Sequence, residues 1–348
     1  MVFLRLFGPL GIDFTILREA AFMWTHNADP YVALLTSPGP FNYPPSAVLF
    51  LAWLGWLSPA LAGMVWNLIS LAAFLAALWL VFKLTDKQVV WWHYLLAVFL
   101  FTLPFFPEKF NLGNGQINNF IFFFSILSLW LYQGKKFWLA ALILAYAVGI
   151  KLTPIMFLFL FVIKHDWKQL GRTLSGIATV LILPVLFLGP NSYLKYYGRI
   201  IFLGLVSTGK AVYYNQSLSG LLSRSLPSGG QEIYYWLALI FLVTTYLALR
   251  RAPLALVAAA LTSLYLMLHP LAWQHHFVFA ALPLIVLWRH QPHWSLGLAY
   301  ALLAGNLTHP EIFAIGNPIL SHQFWGNFWL WLWAIKSSIG LRRFSATT

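Results

Sequence analysis

The sequence contains no cysteine and few charged residues. Of 348 residues, 21 are Lys or Arg and 8 are Asp or Glu, a charged fraction of 8%, where soluble domains average about 25%. Without cysteine the chain can form no disulfide, no Cys-ligated zinc site and no thiol nucleophile. A water-soluble globule of this size could not cover its surface with so few charges. These shortages exclude a soluble enzyme, a disordered chain and a secreted disulfide scaffold.

Apolar residues dominate instead, at 61%, and aromatic residues reach 18%. Apolar runs close to membrane-spanning length fill most of the chain. They predict one all-α integral-membrane domain over residues 1–348, a polytopic transmembrane helical bundle with about 11 spanning helices. The candidate spans are residues 60–83, 89–105, 117–133, 136–150, 153–164, 172–189, 232–249, 253–268, 276–288, 294–305 and 323–340.

The net charge of +13 comes mainly from basic residues in short loops between the apolar runs. It therefore indicates membrane topology rather than nucleic-acid binding, and the side that carries basic pairs such as Arg250–Arg251 is predicted to be cytoplasmic. Residues 46–57 are apolar but too short to span, so they are predicted to form a re-entrant or interfacial helix in the first outer loop. Three long segments then face outward: 13–59, 190–231 and 306–322.

Asp13 stands where an apolar stretch meets the first outer segment. A carboxylate at that depth is costly unless it is solvated, paired or used in chemistry. Two interpretations stay open at this point. Asp13 is the N-cap of a helix that begins at Phe14 or Thr15, because Asp is a favoured capping residue, or it is a catalytic acid or base.

Further polar residues are predicted on the same outer side. The carboxamides of PEKFNLGNGQINNF, among them Gln116 and Asn118, either bind sugar hydroxyls or cap the loop that enters the helix at Ile117. Lys151 either extends its ammonium group to the aqueous boundary or binds an anion beside the helix break at Pro154.

The second outer segment, 190–231, contains Arg199, Asn215 and Gln216. Basic residues in an outer segment are unexpected from the positive-inside rule. Phosphate binding would explain them, and solvation of a long loop explains them almost as well. HPLAWQHHF places His275 and His276 at the outer start of a helix. Because a helical zinc pair favours i, i+4 spacing, no metal site is predicted from these adjacent histidines. Because all these polar residues are predicted on the same outer side, they favour an active site that opens outward at the membrane surface.

Five stretches in sequence order resemble glycosyltransferase family 87, a family of polyprenyl-phosphate-sugar-dependent transferases in the GT-C superfamily. They are GIDFTILREAAF with DPY and FNYPP, NGQINNF, AVGIKLTPIMFLF, NQSLSGLLSR, and HPLAWQHH. The resemblance implies a bundle of GT-C type with Asp13 as the catalytic aspartate. Since the family enters its first outer loop from a complete helix, a truncated first helix is expected here. With Arg199, the predicted substrate-binding residues are Tyr43, Gln116, Asn118, Lys151, Asn215, Gln216, His275 and His276.

The implied reaction is an inverting transfer of a hexose, with mannose preferred, from a polyprenyl-phosphate donor to a hydroxyl of a glycolipid or glycan. It is expected at the extracytoplasmic face of the plasma membrane. Asp13 is expected to act as general base, and no metal or other cofactor is expected because phosphate leaves as a stable anion. The expected partners are the donor, the acceptor and membrane lipid, without nucleic acid. Two alternatives are a flippase or transporter for lipid-linked sugar, which needs polar groups through the bilayer, and a non-catalytic membrane scaffold.

Overall fold

The computed structural model describes residues 10–33, 41–85, 88–200, 211–226, 230–306 and 318–346. Over these residues the chain is helical and has no β-strand, in agreement with the all-α prediction. Most of the expected truncated first helix lies outside the described residues. The α-helices are α1 Ile12–Thr25, α2 Pro30–Ala33, α3 Pro45–Leu51, α4 Pro59–Leu84, α5 Trp91–Thr102, α6 Phe106–Asn114, α7 Asn118–Gln133, α8 Phe137–Ile150, α9 Leu158–Ile163, α10 Trp167–Ile182, α11 Val185–Lys195, α12 Leu218–Ser225, α13 Gly230–Leu249, α14 Leu254–Leu268, α15 Ala281–His290, α16 Ser295–Ala304 and α17 His322–Ala346.

The described helices do not confirm the count of about 11 spanning helices given above. By length and composition, α4 and α13 could each cross a membrane, and the bent pairs α5–α6 and α10–α11 raise the number to at most four in the described part. The bends are 62° and 88°, and they fall at Pro104 and Pro184. Several other predicted spans are apolar helices of 10–17 residues, shorter than the ~20 residues of a perpendicular span.

The first of two compact units takes its residues from Met1–Ala77, Asn111–Ile155 and Lys168–Thr208. Its core surrounds Trp66, which is fully buried. The rings of Phe120 and Phe14 lie 4.7 Å and 6.2 Å from the Trp66 ring, between centroids. Aromatic packing thus joins α1, α4 and α7 within this unit.

The apolar segment 46–57 folds as α3 followed by a 3₁₀ helix at Ala52–Trp56. Proline at the first helical position has the backbone angle a helix needs, which explains the start at Pro45. Leu51 and Leu54 are fully buried, because the segment packs on α1 and α8. Its length confirms that it is too short to span, and its re-entry into the membrane stays a prediction.

The second unit takes its residues from Leu78–Phe110, Met156–Trp167 and Gly209–Thr348. Helix α14 is central to it, since every residue from Ala255 to Met267 is buried. The amide of Asn327 in α17 donates a hydrogen bond to the Ser263 carbonyl of α14 over 2.7 Å. A buried polar contact of this kind fixes the register of two otherwise apolar helices. The single integral-membrane domain stays a prediction.

Candidate active site

Asp13 lies in the first turn of α1 and does not cap that helix. The helix begins at Ile12, and the preceding Gly11 has an extended backbone with φ −69° and ψ −178°. The interpretation of Asp13 as the N-cap of a helix that begins at Phe14 or Thr15 is therefore wrong. A carboxylate in a first turn lies near unsatisfied backbone N–H groups and the positive end of the helix dipole. Its half-buried side chain is available for contacts with other parts of the chain.

A glycine turn between α6 and α7 brings Gln116 to Asp13. The sequence predicted a loop before the helix at Ile117, but Phe106–Asn114 is helical and only the turn after it is irregular. Gly115 has φ +63°, and a Cβ there would lie 2.6 Å from the Cβ of Phe14. The turn can approach α1 only because this residue has no side chain. From this turn, the Gln116 amide donates a hydrogen bond to the Asp13 carboxylate.

Lys151 follows the end of α8, where its backbone is extended, with φ −149° and ψ 128°. Its Nζ donates a hydrogen bond to Oδ1 of the buried Asn118 over 2.7 Å. The ammonium nitrogen also lies 5.9 Å from the ring centroid of Tyr43. It is close enough to Asp13 for the two charges to interact. The structure thus brings together five predicted site residues: Asp13, Tyr43, Gln116, Asn118 and Lys151.

Burial changes the acidity of both charged groups in this cluster. Burial raises the pKa of the Asp13 carboxyl above its ordinary value of 3.8, while the Gln116 hydrogen bond and the Lys151 charge reduce that rise. Burial lowers the pKa of Lys151 from 10.5 to about 8, although the negative charge of Asp13 acts in the opposite direction. Burial and the Asp13 charge also raise the pKa of the Tyr43 phenol. Adjacent groups with shifted pKa values are typical of functional sites.

A further set of contacts supports Tyr43, and the sequence did not predict it. The Tyr31 hydroxyl donates a hydrogen bond to the Tyr43 carbonyl over 2.7 Å. The Asp29 carboxylate accepts the Tyr31 backbone N–H at 2.9 Å and pairs with Lys195 Nζ at 2.6 Å. The Tyr196 ring packs 5.9 Å from the Tyr31 ring. No local pattern in the sequence indicates a partner 166 residues away. The one available signal was that Asp29 is among only 8 acidic residues in the chain.

Asn215 and Gln216 lie in the second unit, and both side chains are fully buried. The Asn215 amide donates a hydrogen bond to the Pro270 carbonyl over 3.0 Å. The Gln216 amide donates to the Leu320 carbonyl over 2.6 Å, and its oxygen accepts the Gln323 backbone N–H at 3.1 Å. These bonds join three segments of the same unit. Substrate binding by these two residues stays a prediction.

His275 and His276 are buried in the second unit, with ring centroids 4.5 Å apart. His269, which opens the same HPLAWQHH stretch, lies 5.5 Å from His276 between ring centroids. Backbone N–H groups of Trp273 and Leu271 donate to Nδ1 of His276 and His269, at 3.0 Å and 3.2 Å. Because Nδ1 is the acceptor in both, each neutral ring carries its proton on Nε2. His269 was not among the predicted site residues.

The predicted site residues therefore fall into two groups, one in each unit. The side chain of Arg199 lies outside the described residues. In the described part of the chain, no three His, Asp or Glu side chains are placed to hold a metal ion. The group in the first unit combines a carboxylate that can accept a proton with an ammonium that can neutralise an anion, and neighbouring amides hold both groups.

Comparison with known proteins gives a family match over two thirds of the chain. The model of glycosyltransferase family 87 matches residues 41–272. The matched range contains six predicted site residues whose side chains are described: Tyr43, Gln116, Asn118, Lys151, Asn215 and Gln216. Asp13 and the pair His275 and His276 lie outside it.

Two similar curated proteins are named as polyprenol-phosphate-mannose-dependent alpha-(1-2)-phosphatidylinositol mannoside mannosyltransferases. The chain is 26% identical over 333 residues to the one from Mycobacterium tuberculosis, covering 86% of this chain and 76% of that protein. Along an alignment of 392 positions it is 26% identical to the one from Mycolicibacterium smegmatis, covering 99% of this chain and 87% of that protein. A third similar protein, also from Mycobacterium tuberculosis and 26% identical, is named as a phosphatidylinositol pentamannoside mannosyltransferase, with 81% of this chain and 68% of that protein covered.

Proposed function

Because this chain belongs to glycosyltransferase family 87, as its five motifs predicted, and is a hexosyltransferase, we propose that it transfers mannose from a polyprenyl-phosphate donor to a glycolipid hydroxyl. The names of the similar proteins support this donor and a phosphatidylinositol mannoside as the acceptor class. The observation that carries the proposal is the clustering of three groups: Gln116 hydrogen-bonds to Asp13, and Lys151 lies close enough for its charge to act on that carboxylate.

Asp13 acts as the general base. The acceptor O–H gives its proton to the Asp13 carboxylate as its oxygen attacks the anomeric carbon from the face opposite the phosphate. The bond between that carbon and the phosphate oxygen breaks, and the electron pair leaves with the phosphate. A single displacement inverts the anomeric centre. The raised pKa of Asp13 supports this role, because a more basic carboxylate removes a hydroxyl proton more readily.

Lys151 stabilises the negative charge that moves onto the leaving phosphate. Its hydrogen bond to the buried Asn118 fixes the ammonium group before substrate arrives, so little reorganisation is needed during the reaction. Gln116 holds the Asp13 carboxylate in orientation. Tyr43 lies beside the ammonium and offers a ring face and a hydroxyl for the sugar.

The reaction takes place at the extracytoplasmic face of the plasma membrane. The support is the distribution of basic residues, since the topology predicted from the sequence puts the basic clusters of short loops on the side opposite to residues 13–59. The polyprenyl chain of the donor then stays in the outer leaflet while its phosphate reaches Lys151. The acid–amide–ammonium cluster also favours an enzyme over a non-catalytic scaffold, which has no need of a carboxylate and an ammonium whose pKa values are both shifted by burial.

The test is the Asp13→Asn variant, reconstituted in proteoliposomes with polyprenyl-phosphate mannose and a phosphatidylinositol mannoside acceptor. Loss of a general base lowers the rate by roughly 10²–10⁴, whereas binding of the donor should persist. Glu19→Gln is the matched control, because Glu19 is a carboxylate of the same helix that pairs with Arg18 at 3.2 Å. Equal turnover by Asp13→Asn and the control would exclude Asp13 as the base.

A further inference from the structure

Two turns of the second unit form a basic cavity that the proposed reaction does not use. It has a volume of about 570 Å³ and is lined by His165, Leu247, Arg250 and Arg251. His165 lies between α9 and α10, and the two arginines follow the end of α13. A volume within the ~300–1,000 Å³ of small-molecule pockets suits a headgroup-sized ligand.

A specific contact holds the two turns together. The Nζ of Lys164 donates a hydrogen bond to the Ala252 carbonyl, so the residue before His165 is attached to the residue after Arg251. His165 has φ +54°, in the left-handed region that only a few per cent of non-glycine residues adopt. The hydrogen bond thus joins the two turns whose residues line the cavity.

Aromatic side chains border the cavity. The guanidinium of Arg250 lies 5.4 Å from the ring centroid of Tyr246. The His165 ring lies 6.2 Å from the same ring and 6.0 Å from that of Trp167. Tyr and Trp are enriched at the level of lipid headgroups, where one end of the side chain is apolar and the other is hydrated.

The charges in these turns are unbalanced. Lys164, Arg250 and Arg251 are basic, while Asp166 is the acid of the same turns. Neither arginine takes part in an ion pair with any residue that the structure describes. Holding like charges together costs free energy, which a bound anion offsets. Arginine also forms bidentate hydrogen bonds that match the geometry of a phosphate group.

The helix that leads into the cavity favours a lipid as the carrier of that phosphate. Helix α13 is 20 residues long and only 17% of its apolar window is buried. Leu239, Val243 and Leu247 are 52%, 47% and 52% exposed, and they follow one another at i, i+4 spacing along the helix toward Arg250. An apolar stripe that ends at two arginines fits a molecule with acyl chains and a phosphate headgroup.

From these observations we propose that the cavity binds the phosphate of an anionic phospholipid headgroup, with the acyl chains along α13. The residues that line it include none of those assigned to the proposed donor site around Asp13 and Lys151. Loop charge predicts it on the cytoplasmic side of the membrane, where anionic lipids are abundant. Arg250 and Arg251 contact the phosphate, and His165 and Leu247 line the cavity around the headgroup.

Native mass spectrometry of the detergent-purified protein tests this proposal. Dioctanoyl phosphatidylglycerol should bind at one saturable site, and the Arg250→Gln/Arg251→Gln variant should bind it at least about tenfold more weakly. Arg250→Lys/Arg251→Lys keeps the charge but loses the bidentate geometry, so its affinity should lie between those of the native protein and the glutamine variant. This intermediate affinity separates loss of the site from loss of folding. The control is Lys135→Gln/Lys136→Gln, which removes the same charge from an exposed pair in another turn.

Two further ligands separate the possible sources of phosphate. Dioctanoyl phosphatidylcholine should bind much more weakly, because its headgroup has no net charge. Inorganic phosphate at the same concentration should not displace the anionic lipid, because it gains nothing from α13. Equal binding of both lipids, displacement of the lipid by inorganic phosphate, or equal loss in the Lys135/Lys136 control would each overturn the proposal.

Discussion

The ammonium of Lys151 donates a hydrogen bond to Oδ1 of Asn118 over 2.7 Å, at the point where the end of α8 meets the start of α7. Asn118 is fully buried, so this bond fixes a flexible side chain at a defined place. A cation held in this way stabilises a developing anion without the entropic cost of ordering it during the reaction. Its charge state then controls how the rate depends on pH.

We expect mannosyl transfer to fall as the pH rises through about 8, where Lys151 loses its proton. The Lys151→Arg variant should lose this alkaline decline, because a guanidinium stays charged to a pH above ~12. Its maximal rate should be lower than that of the native enzyme, since the bond to Asn118 is built for an ammonium. The measurement is initial transfer rate against pH in proteoliposomes.

Lys136→Arg is the control for that profile, because Lys136 is exposed and lies outside the site. This variant should keep the alkaline decline of the native enzyme. If Lys151→Arg also kept a decline near pH 8, another group would be responsible for it.

A second pH prediction concerns Gln116. Its hydrogen bond to the Asp13 carboxylate stabilises the ionised form and lowers the pKa of that carboxyl, against the larger effect of burial. The Gln116→Leu variant should therefore raise the pKa of Asp13 further and shift the acid side of the rate profile to higher pH. Transfer at the optimum should change less than transfer at low pH. The control Glu19→Gln should not shift the acid side of the rate–pH profile. An unshifted profile in Gln116→Leu would show that Gln116 does not influence the pKa of Asp13.

The sequence predicted the cluster around Asp13 because its members are unusual in an apolar chain. Three rules were sufficient to predict their common location. A charge at membrane depth is costly unless it is solvated, paired or functional, basic residues concentrate in cytoplasmic loops, and proline breaks a helix. Together they predicted Asp13, Gln116 and Lys151 on one face. In the structure Gln116 hydrogen-bonds to Asp13, and the charge of Lys151 acts on the same carboxylate. The helix break near Pro154 is also confirmed, since α8 ends at Ile150.

Other features could not be predicted because their cause is not local in the sequence. Asp29 and Lys195 form an ion pair across 166 positions, and no periodicity indicates such a contact. The helix at Phe106–Asn114 was missed because Pro104, Pro107 and two glycines made the segment resemble a loop. The count of about 11 spanning helices is not confirmed, because several of the predicted spans are apolar helices of only 10–17 residues. Hydropathy measures burial in either protein or lipid, so short buried helices count as spans.

Gly115→Ala should destabilise the protein by roughly 1–3 kcal/mol, because a left-handed backbone is costly for a residue with a Cβ. The added Cβ would also lie 2.6 Å from the Cβ of Phe14, next to the proposed base. Transfer should therefore fall by more than the loss of folded protein explains. Thermal unfolding and transfer rate measured on the same preparation separate the two effects.

The control for that substitution is Gly134→Ala. Gly134 has φ −76°, and the nearest atoms to an added Cβ are carbonyl oxygens at 3.5 Å and 3.6 Å. Because neither strain nor a close contact results, stability and transfer should stay near native values. A similar small effect of both substitutions would mean that α1 can move to accommodate the turn.

Gln216 is a predicted substrate-binding residue whose side chain hydrogen-bonds to the protein itself. It donates to the Leu320 carbonyl over 2.6 Å and to the Tyr213 carbonyl over 2.9 Å, and it accepts the Gln323 N–H at 3.1 Å. Gln216→Ala leaves these backbone groups buried and unpaired, so the free energy of unfolding should fall by roughly 2 kcal/mol or more.

Gln231→Ala, which removes an exposed glutamine bonded to the Tyr235 hydroxyl at 3.0 Å, is the control and should change stability by less than about 0.5 kcal/mol. For the Gln216→Ala protein that stays folded at low temperature, the KM for the lipid donor separates the two roles, and an unchanged KM would assign Gln216 to folding alone. A raised KM with native thermal stability would instead show that Gln216 contacts the substrate.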